Sequence, residues 1–138
     1  MARNWRGKHN APFGVHITLD GYNGCPARLS DFDHIKQCLS ELPTQLGMHK
    51  LVEPTVLEVG ELSLKDPGGI TGFVLIAESH ISIHTFPRRG FLSADVYTCQ
   101  GTLKKQWIRS FFARSFGLKD IETNYLIRGS YYPKSNIA

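Results

Sequence analysis

Residues 78–99 read ESHISIHTFPRRGFLSADVYTC, and how they pair decides the fold. Two runs rich in β-branched and aromatic residues, 81–86 and 91–98, flank the connection Pro87-Arg88-Arg89-Gly90. That is the composition of two strands joined by a hairpin loop. If Phe86 and Phe91 close the loop, His84 faces Ser93, Ser82 faces Asp95, His80 faces Tyr97 and Glu78 faces Cys99. Side chains alternate faces with period two. One face then carries Glu78, His80, Ser82, His84, Ser93, Asp95, Tyr97 and Cys99. The other carries Ile81, Ile83, Leu92, Ala94, Val96 and Thr98, and must lie against other elements. Opposite Cβ atoms stand roughly 4.5–5.5 Å apart, which sets Cys99 beside the Glu78–Ser79 peptide bond. A slip of one residue would undo the arrangement.

Working outward, Gly14 to Asp20 has the content of a strand, and Asn23, Gly24 and Pro26 mark a turn. Ser30 is the expected helix cap, with Asp33 completing a short capping box. Phe32, Ile35, Cys38, Leu39, Leu42 and Leu46 fall on one helical face, and Gly47 ends the helix. Cys38 on that stripe reads as core filler. Leu51 to Val59 is an expected strand broken by Pro54, and Asp66 to Gly69 a turn. Ile70 to Ala77 is an apolar run expected to be buried on both faces. Thr102 is expected to cap a helix from Leu103 to Phe116 ended by Gly117. Its apolar face holds Leu103, Trp107, Ile108, Phe111 and Phe112, and its polar face Lys104, Lys105, Arg109 and Arg114. Ile121 to Ile127 is the last strand. The order β-α-β-β-β-β-α-β predicts an α+β two-layer sandwich, an antiparallel sheet with helices on one face. Residues 1–13 read as a polar, basic arm, and no internal repeat occurs.

The 138 residues amount to one domain, 1–138. At this size roughly 68% of the unfolded surface can be buried, enough for a core without staples. Hydrophobic residues make up 41% and charged residues 20%, which excludes a disordered chain or a coiled coil. The net charge of +4 permits an acidic partner without demanding one. No apolar run approaches the length of a membrane helix, and the N-terminus has no apolar signal region. The three cysteines, Cys25, Cys38 and Cys99, are odd in number and far apart, so a reducing cytoplasm is the expected location.

The polar face of the hairpin admits several chemistries. His84 and Cys99 could form a nucleophile pair, but several residue rises separate them. His80, His84 and Cys99 could offer metal ligands, but the two histidines lie about 13 Å apart on an extended strand, so no metal site is expected. A solvated polar face is the bland alternative. A basic nucleic-acid surface, built from the charged helix, Arg88, Arg89 and the arm, is the alternative from another class. No stacking motif accompanies it.

The segment 75–99 resembles the processing and active-site region of the bacterial and archaeal S-adenosylmethionine decarboxylases. The resemblance rests on Glu78-Ser79-His80, Ile83-His84-Thr85-Phe86-Pro87 and Asp95-Val96-Tyr97-Thr98-Cys99. It implies a chain that cleaves itself between Glu78 and Ser79 into fragments 1–78 and 79–138. Ser79 would become a covalent pyruvoyl cofactor through an N→O acyl shift, β-elimination and loss of ammonia. By the same resemblance His84 and Thr71 assist processing, and Cys99 donates the proton that replaces the departing CO₂. A thiol with a pKa near 8.5 is mostly protonated at neutral pH, as a donor requires. The pyruvoyl ketone would hold the substrate amine as a Schiff base and act as electron sink. Relatives of this short type are homodimers with sites near the interface, and a homodimer is therefore implied.

The substrate implied is S-adenosylmethionine, within polyamine and spermidine biosynthesis. Two departures point to an alternative. The family's Trp-Pro-Glu is here Phe86-Pro87-Arg88, so a cation stands where a carboxylate is usual. The aromatic expected before the strand leading to Glu-Ser is missing from Ser63-Leu64-Lys65-Asp66. Some relatives decarboxylate arginine or ornithine, and Asp66 could pair with such a cationic side chain. Phe86, Asp66 and Arg88 are the candidate substrate-binding residues.

Overall fold

A computed structural model describes residues 10–137, so residues 1–9 of the predicted arm lie outside the described part. Strand β1 spans Gly14–Tyr22 and is followed by a one-turn helix α1 at Pro26–Leu29 and by α2 at Phe32–Gln45. Strands β2 (Thr55–Val59), β3 (Gly69–Ile76), β4 (Ser79–Phe86) and β5 (Phe91–Thr98) come next. Helix α3 spans Lys105–Phe116 and β6 spans Asp120–Arg128. The six strands form one antiparallel sheet in the order β2-β3-β4-β5-β1-β6.

The hairpin register is the one read from the sequence: Phe86 pairs with Phe91, His84 with Ser93, Ser82 with Asp95 and His80 with Tyr97. The apolar alternates Ile81, Ile83, Leu92 and Val96 are all at most 1% exposed. They pack under the helices, α2 over β2 and β3, and α3 over β1 and β6. Phe112 and Phe116 of α3 and Ile35, Leu39 and Leu42 of α2 are fully buried in the same core. Cys38 is buried with them, and burial pushes its thiol pKa up, so it is packing material. Among the described residues, no helix covers the opposite face of the sheet.

That open face corrects one expectation. Strand β3 is not buried on both sides: Ile70, Val74 and Ile76 face the core, while Phe73 and Leu75 are exposed. Helices lie on only one side, so period-two alternation holds even in an apolar run. Capping differs too. The α2 cap is Asp31, whose carboxylate accepts the His34 N–H at 3.1 Å, while the Ser30 hydroxyl donates to the Pro26 carbonyl of α1. Thr102 caps nothing, because α3 starts at Lys105. The strand expected from Leu51 begins only at Thr55, after Pro54. Gly117 ends α3 at φ +64, a left-handed conformation that glycine adopts without strain.

Candidate active site

The Glu78–Ser79 bond sits at the mouth of a tight turn. Ile76 pairs with Ser79, leaving only Ala77 and Glu78 to reverse the chain between β3 and β4. Ser79 has φ +154, one of two non-glycine residues with positive φ among the described residues. That region is costly for a side-chain-bearing residue, by about 1–3 kcal/mol, and persists only where neighbours impose it. The imposing neighbour is β5: Ser79 pairs with Thr98, and the next amide, Cys99 N–H, donates to the Glu78 carbonyl at 2.9 Å. Gly14 lets β1 press against this point. A Cβ on it would lie 2.2 Å from the Thr98 carbonyl oxygen and 3.0 Å from the Cys99 Cα. Cys99 itself is exposed and unpaired.

A second cluster stands farther along the same strand. Thr71 pairs with His84 across β3 and β4, and the Thr71 hydroxyl lies 3.1 Å from His84 Nδ1. Five residue rises separate His84 from Ser79, about 16 Å in an extended strand. One chain therefore brings Glu78, Ser79 and Cys99 together, and Thr71 and His84 together, but does not bring the two groups to each other.

Beyond His84 the strand ends open onto a cavity of about 690 Å³ lined by Tyr22, Lys65, Asp66, Phe86, Arg89 and Phe91. Phe86 stacks toward Phe91 with centroids 5.5 Å apart, and Tyr22 toward Phe91 at 5.4 Å. Tyr22 and Phe91 thus supply aromatic surface that residues 63–66 lack. Of the three residues predicted to hold substrate, Phe86 and Asp66 line this cavity. Arg88 lies beside it and faces Glu61 at 3.6 Å, and Arg89 donates to the Leu64 carbonyl at 2.9 Å. Lys65 and Arg89 outweigh Asp66 in charge, so the lining is not acidic.

Between the two clusters the open face carries a hydrogen-bonded network that reaches beyond the hairpin. Asp95 Oδ2 faces His16 Nε2 at 2.5 Å and His80 Nε2 at 3.3 Å, and Asp95 Oδ1 accepts from the Ser82 hydroxyl. Arg128 donates to His16 Nδ1 at 2.8 Å and lies over the Tyr97 ring at 4.6 Å. Arginine only donates, so His16 Nδ1 is unprotonated and Nε2 carries the proton to Asp95. Ligand atoms of His16, His80 and Asp95 lie within 4.8 Å of one another. The Arg128 contact nonetheless commits His16 Nε2 to donating, whereas a metal needs it free. His16, Arg128 and Asp20, whose carboxylate accepts from the Ser93 hydroxyl at 2.9 Å, are not among the candidates that the sequence offers. The alternation His16, Thr18, Asp20 was the signal that could have found His16 and Asp20.

The basic helix face is partly committed to packing. Arg109 donates to the Ile121 carbonyl at 3.1 Å and Arg114 Nε to the Ser110 carbonyl at 3.3 Å. No helix among the described residues is long and apolar enough to cross a membrane.

Comparison with known proteins agrees with this geometry. The family model for S-adenosylmethionine decarboxylase matches residues 15–129. A relative from Symbiobacterium thermophilum, named S-adenosylmethionine decarboxylase proenzyme, is 34% identical over 119 residues, covering 86% of this chain and 84% of that one. One of the same name from Thermodesulfovibrio yellowstonii is 33% identical over 106 residues, covering 77% and 73%. The crystal structure of adenosylmethionine decarboxylase from Aquifex aeolicus superposes with a TM-score of 0.72 at 29% identity, covering 86% of this chain and 92% of that one. With the match spanning the sheet, helices α1 to α3 and the Glu78–Ser79 turn, the chain belongs to the S-adenosylmethionine decarboxylase family.

Proposed function

We propose that this chain is a proenzyme that cleaves itself between Glu78 and Ser79 and then, as fragments 1–78 and 79–138, decarboxylates S-adenosylmethionine. The observation that carries this reading is the hydrogen bond from the Cys99 amide to the Glu78 carbonyl, beside a Ser79 held at φ +154. That amide polarises the carbonyl the Ser79 hydroxyl must attack and can receive the negative charge on its oxygen. Attack forms the C–O bond of an ester and breaks the C–N bond, with the hydroxyl proton passing to nitrogen. Loss of the Ser79 α-proton then breaks the ester Cβ–O bond and expels the main-chain carboxylate of Glu78 as the new C-terminus, and water releases ammonia to leave the pyruvoyl carbonyl.

The surroundings suit that group: a serine at the new terminus, a backbone donor beside it and an exposed thiol on the adjacent residue of β5. When formed, the pyruvoyl group supplies a carbonyl for the substrate amine and a sink for the electrons left by CO₂. The Cys99 thiol returns a proton to the carbon that lost the carboxylate. Three unpaired cysteines, one of them this donor, suit a reducing cytoplasm.

A homodimer completes the site. Thr71 and His84 lie about 16 Å from Ser79, and Phe86 about 23 Å, in their own chain. The open face, with exposed Leu57, Phe73 and Leu75 beside the polar network, offers a surface for a second copy. A two-fold axis near Ser82, midway along β4, would lay the His84 and Phe86 end of one sheet over the Ser79 and Cys99 end of the other. The aromatic rings of Tyr22, Phe86 and Phe91 in the cavity favour a substrate bearing a stackable adenine over arginine or ornithine.

Incubating processed protein separately with carboxyl-labelled S-adenosylmethionine, arginine and ornithine tests the assignment. Labelled CO₂ should appear with S-adenosylmethionine. Release from arginine or ornithine alone would overturn the substrate.

A further inference from the structure

The turn before the proposed cleavage point is held from outside the hairpin as well as from within. Between α2 and β2 the chain passes the end of β3, where Lys50 forms an antiparallel bridge with Ile76. There the Leu51 N–H donates to the Leu75 carbonyl at 3.0 Å and the Ala77 N–H to the His49 carbonyl at 2.8 Å. The Glu78 carboxylate closes this contact. Its Oε1 accepts the His49 backbone N–H at 2.9 Å, and its Oε2 lies 3.2 Å from His49 Nδ1. Burial works against the charge on Glu78, and the His49 backbone N–H and ring outweigh it, holding the carboxyl below its ordinary pKa. Glu78 is therefore gripped twice, by its side chain on the His49 segment beside β3 and by its carbonyl on the Cys99 amide of the β5 side.

We propose that Glu78 is a positioning residue for self-cleavage: its carboxylate, anchored on the His49 backbone, keeps the Glu78 carbonyl on the Cys99 amide while the Ser79 hydroxyl attacks. The inference rests on the reading of Glu78–Ser79 as the scissile bond. In the acyl shift the Glu78 carbonyl carbon exchanges its bond to nitrogen for one to oxygen. A fixed acyl carbon keeps that exchange within a fraction of an ångström of reactive geometry. The two contacts differ in weight. The His49 side chain is 81% exposed, so its ring adds little. The backbone N–H to carboxylate bond is charge-assisted and carries most of the anchoring.

Pulse-labelled cell-free synthesis of the full chain, chased on denaturing gels, measures the rate of conversion to two fragments. Glu78→Ala should slow it at least about tenfold, Glu78→Gln about threefold and His49→Ala less than that. Hydroxylamine cuts an ester at 78–79 into fragments 1–78 and 79–138, a pattern distinct from the peptide cut it can make at Asn23-Gly24, so stalled Glu78→Ala chains should show no cut at 78–79. Conversion of Glu78→Ala at the wild-type rate, or accumulation of a hydroxylamine-sensitive ester, would overturn the proposal. Melting temperatures in a Ser79→Ala background separate anchoring from folding. If Glu78→Ala does not fold, Glu78→Gln decides, and a wild-type rate for it rejects the anchor. Failure of the unaltered chain to convert at all would remove the scissile-bond reading and the anchor with it.

Discussion

The Cys99 amide donates to the Glu78 carbonyl at 2.9 Å, while the Cys99 thiol is left exposed and unpaired. One residue thus presents two groups to the same place. In the proposed mechanism its backbone addresses the bond to be broken, and its side chain addresses the substrate that follows. The two can be separated, because a substitution at Cβ leaves the amide in the ladder.

Cys99→Ala should therefore still split into fragments, within about threefold of the wild-type rate, yet release CO₂ at least about a hundredfold more slowly. Gel conversion and labelled CO₂ report the two halves independently. Normal turnover would remove the thiol from its role.

Ser79→Ala has no nucleophile and should remain a single chain of 138 residues. Mass spectrometry of the unaltered protein should instead give two fragments, the larger ending at Glu78 and the smaller resisting Edman degradation. Cleavage of Ser79→Ala at the same bond would end the mechanism.

The distance of about 16 Å between Ser79 and His84 predicts complementation. His84→Ala should process at least about tenfold more slowly alone. Coexpressed with Ser79→Ala, its chains should be cleaved again, because a mixed dimer joins an intact Ser79 to an intact His84 of the other copy. No gain on mixing would place His84 outside the cleavage chemistry of a shared site.

Gly14 tests how tightly β1 fixes this end of β5. A methyl group there meets the Thr98 carbonyl oxygen at 2.2 Å, so backbone must move. Gly14→Ala should slow self-cleavage and lower the melting temperature by several degrees. An unchanged cleavage rate would mean that the Cys99 amide does not depend on β1.

Acid should act through Glu78. Its carboxyl lies below its ordinary pKa, so its stabilising contribution is complete above the unfolded value of about 4.3 and is lost as pH falls through the folded one. In the Ser79→Ala background, adding Glu78→Gln should lower the melting temperature at pH 7. The two proteins should converge as pH falls below the folded-state value. A gap that persists in acid would show that charge is not the cause.

Much of the hairpin was legible because pairing in β4 and β5 is local and has one unknown, the loop closure. Phe86 against Phe91 then sets every other pair and both faces, and a buried apolar face penalises any slip. Glycine ends α3 as read, but Asp31 displaced Ser30 as cap, since two adjacent capping residues compete for helix starts one residue apart. In β3 the apolar run does not reveal how many sides are covered, and Phe73 and Leu75 are exposed.

Sequence alone determined what lies along one strand or its neighbour in the hairpin, Cys99 beside Glu78–Ser79, together with the helical core faces, while Thr71 and His84 entered as candidates through the family resemblance. Tertiary structure alone decided what distant segments bring. His49 reaches Glu78 and His16 reaches Asp95 over separations of 29 and 79 residues. Tyr22 and Lys65 meet at the Phe86 cavity only because the sheet orders β1 beside β5. Register within a hairpin follows from alternation, whereas strand order and loop docking depend on how the whole core is buried.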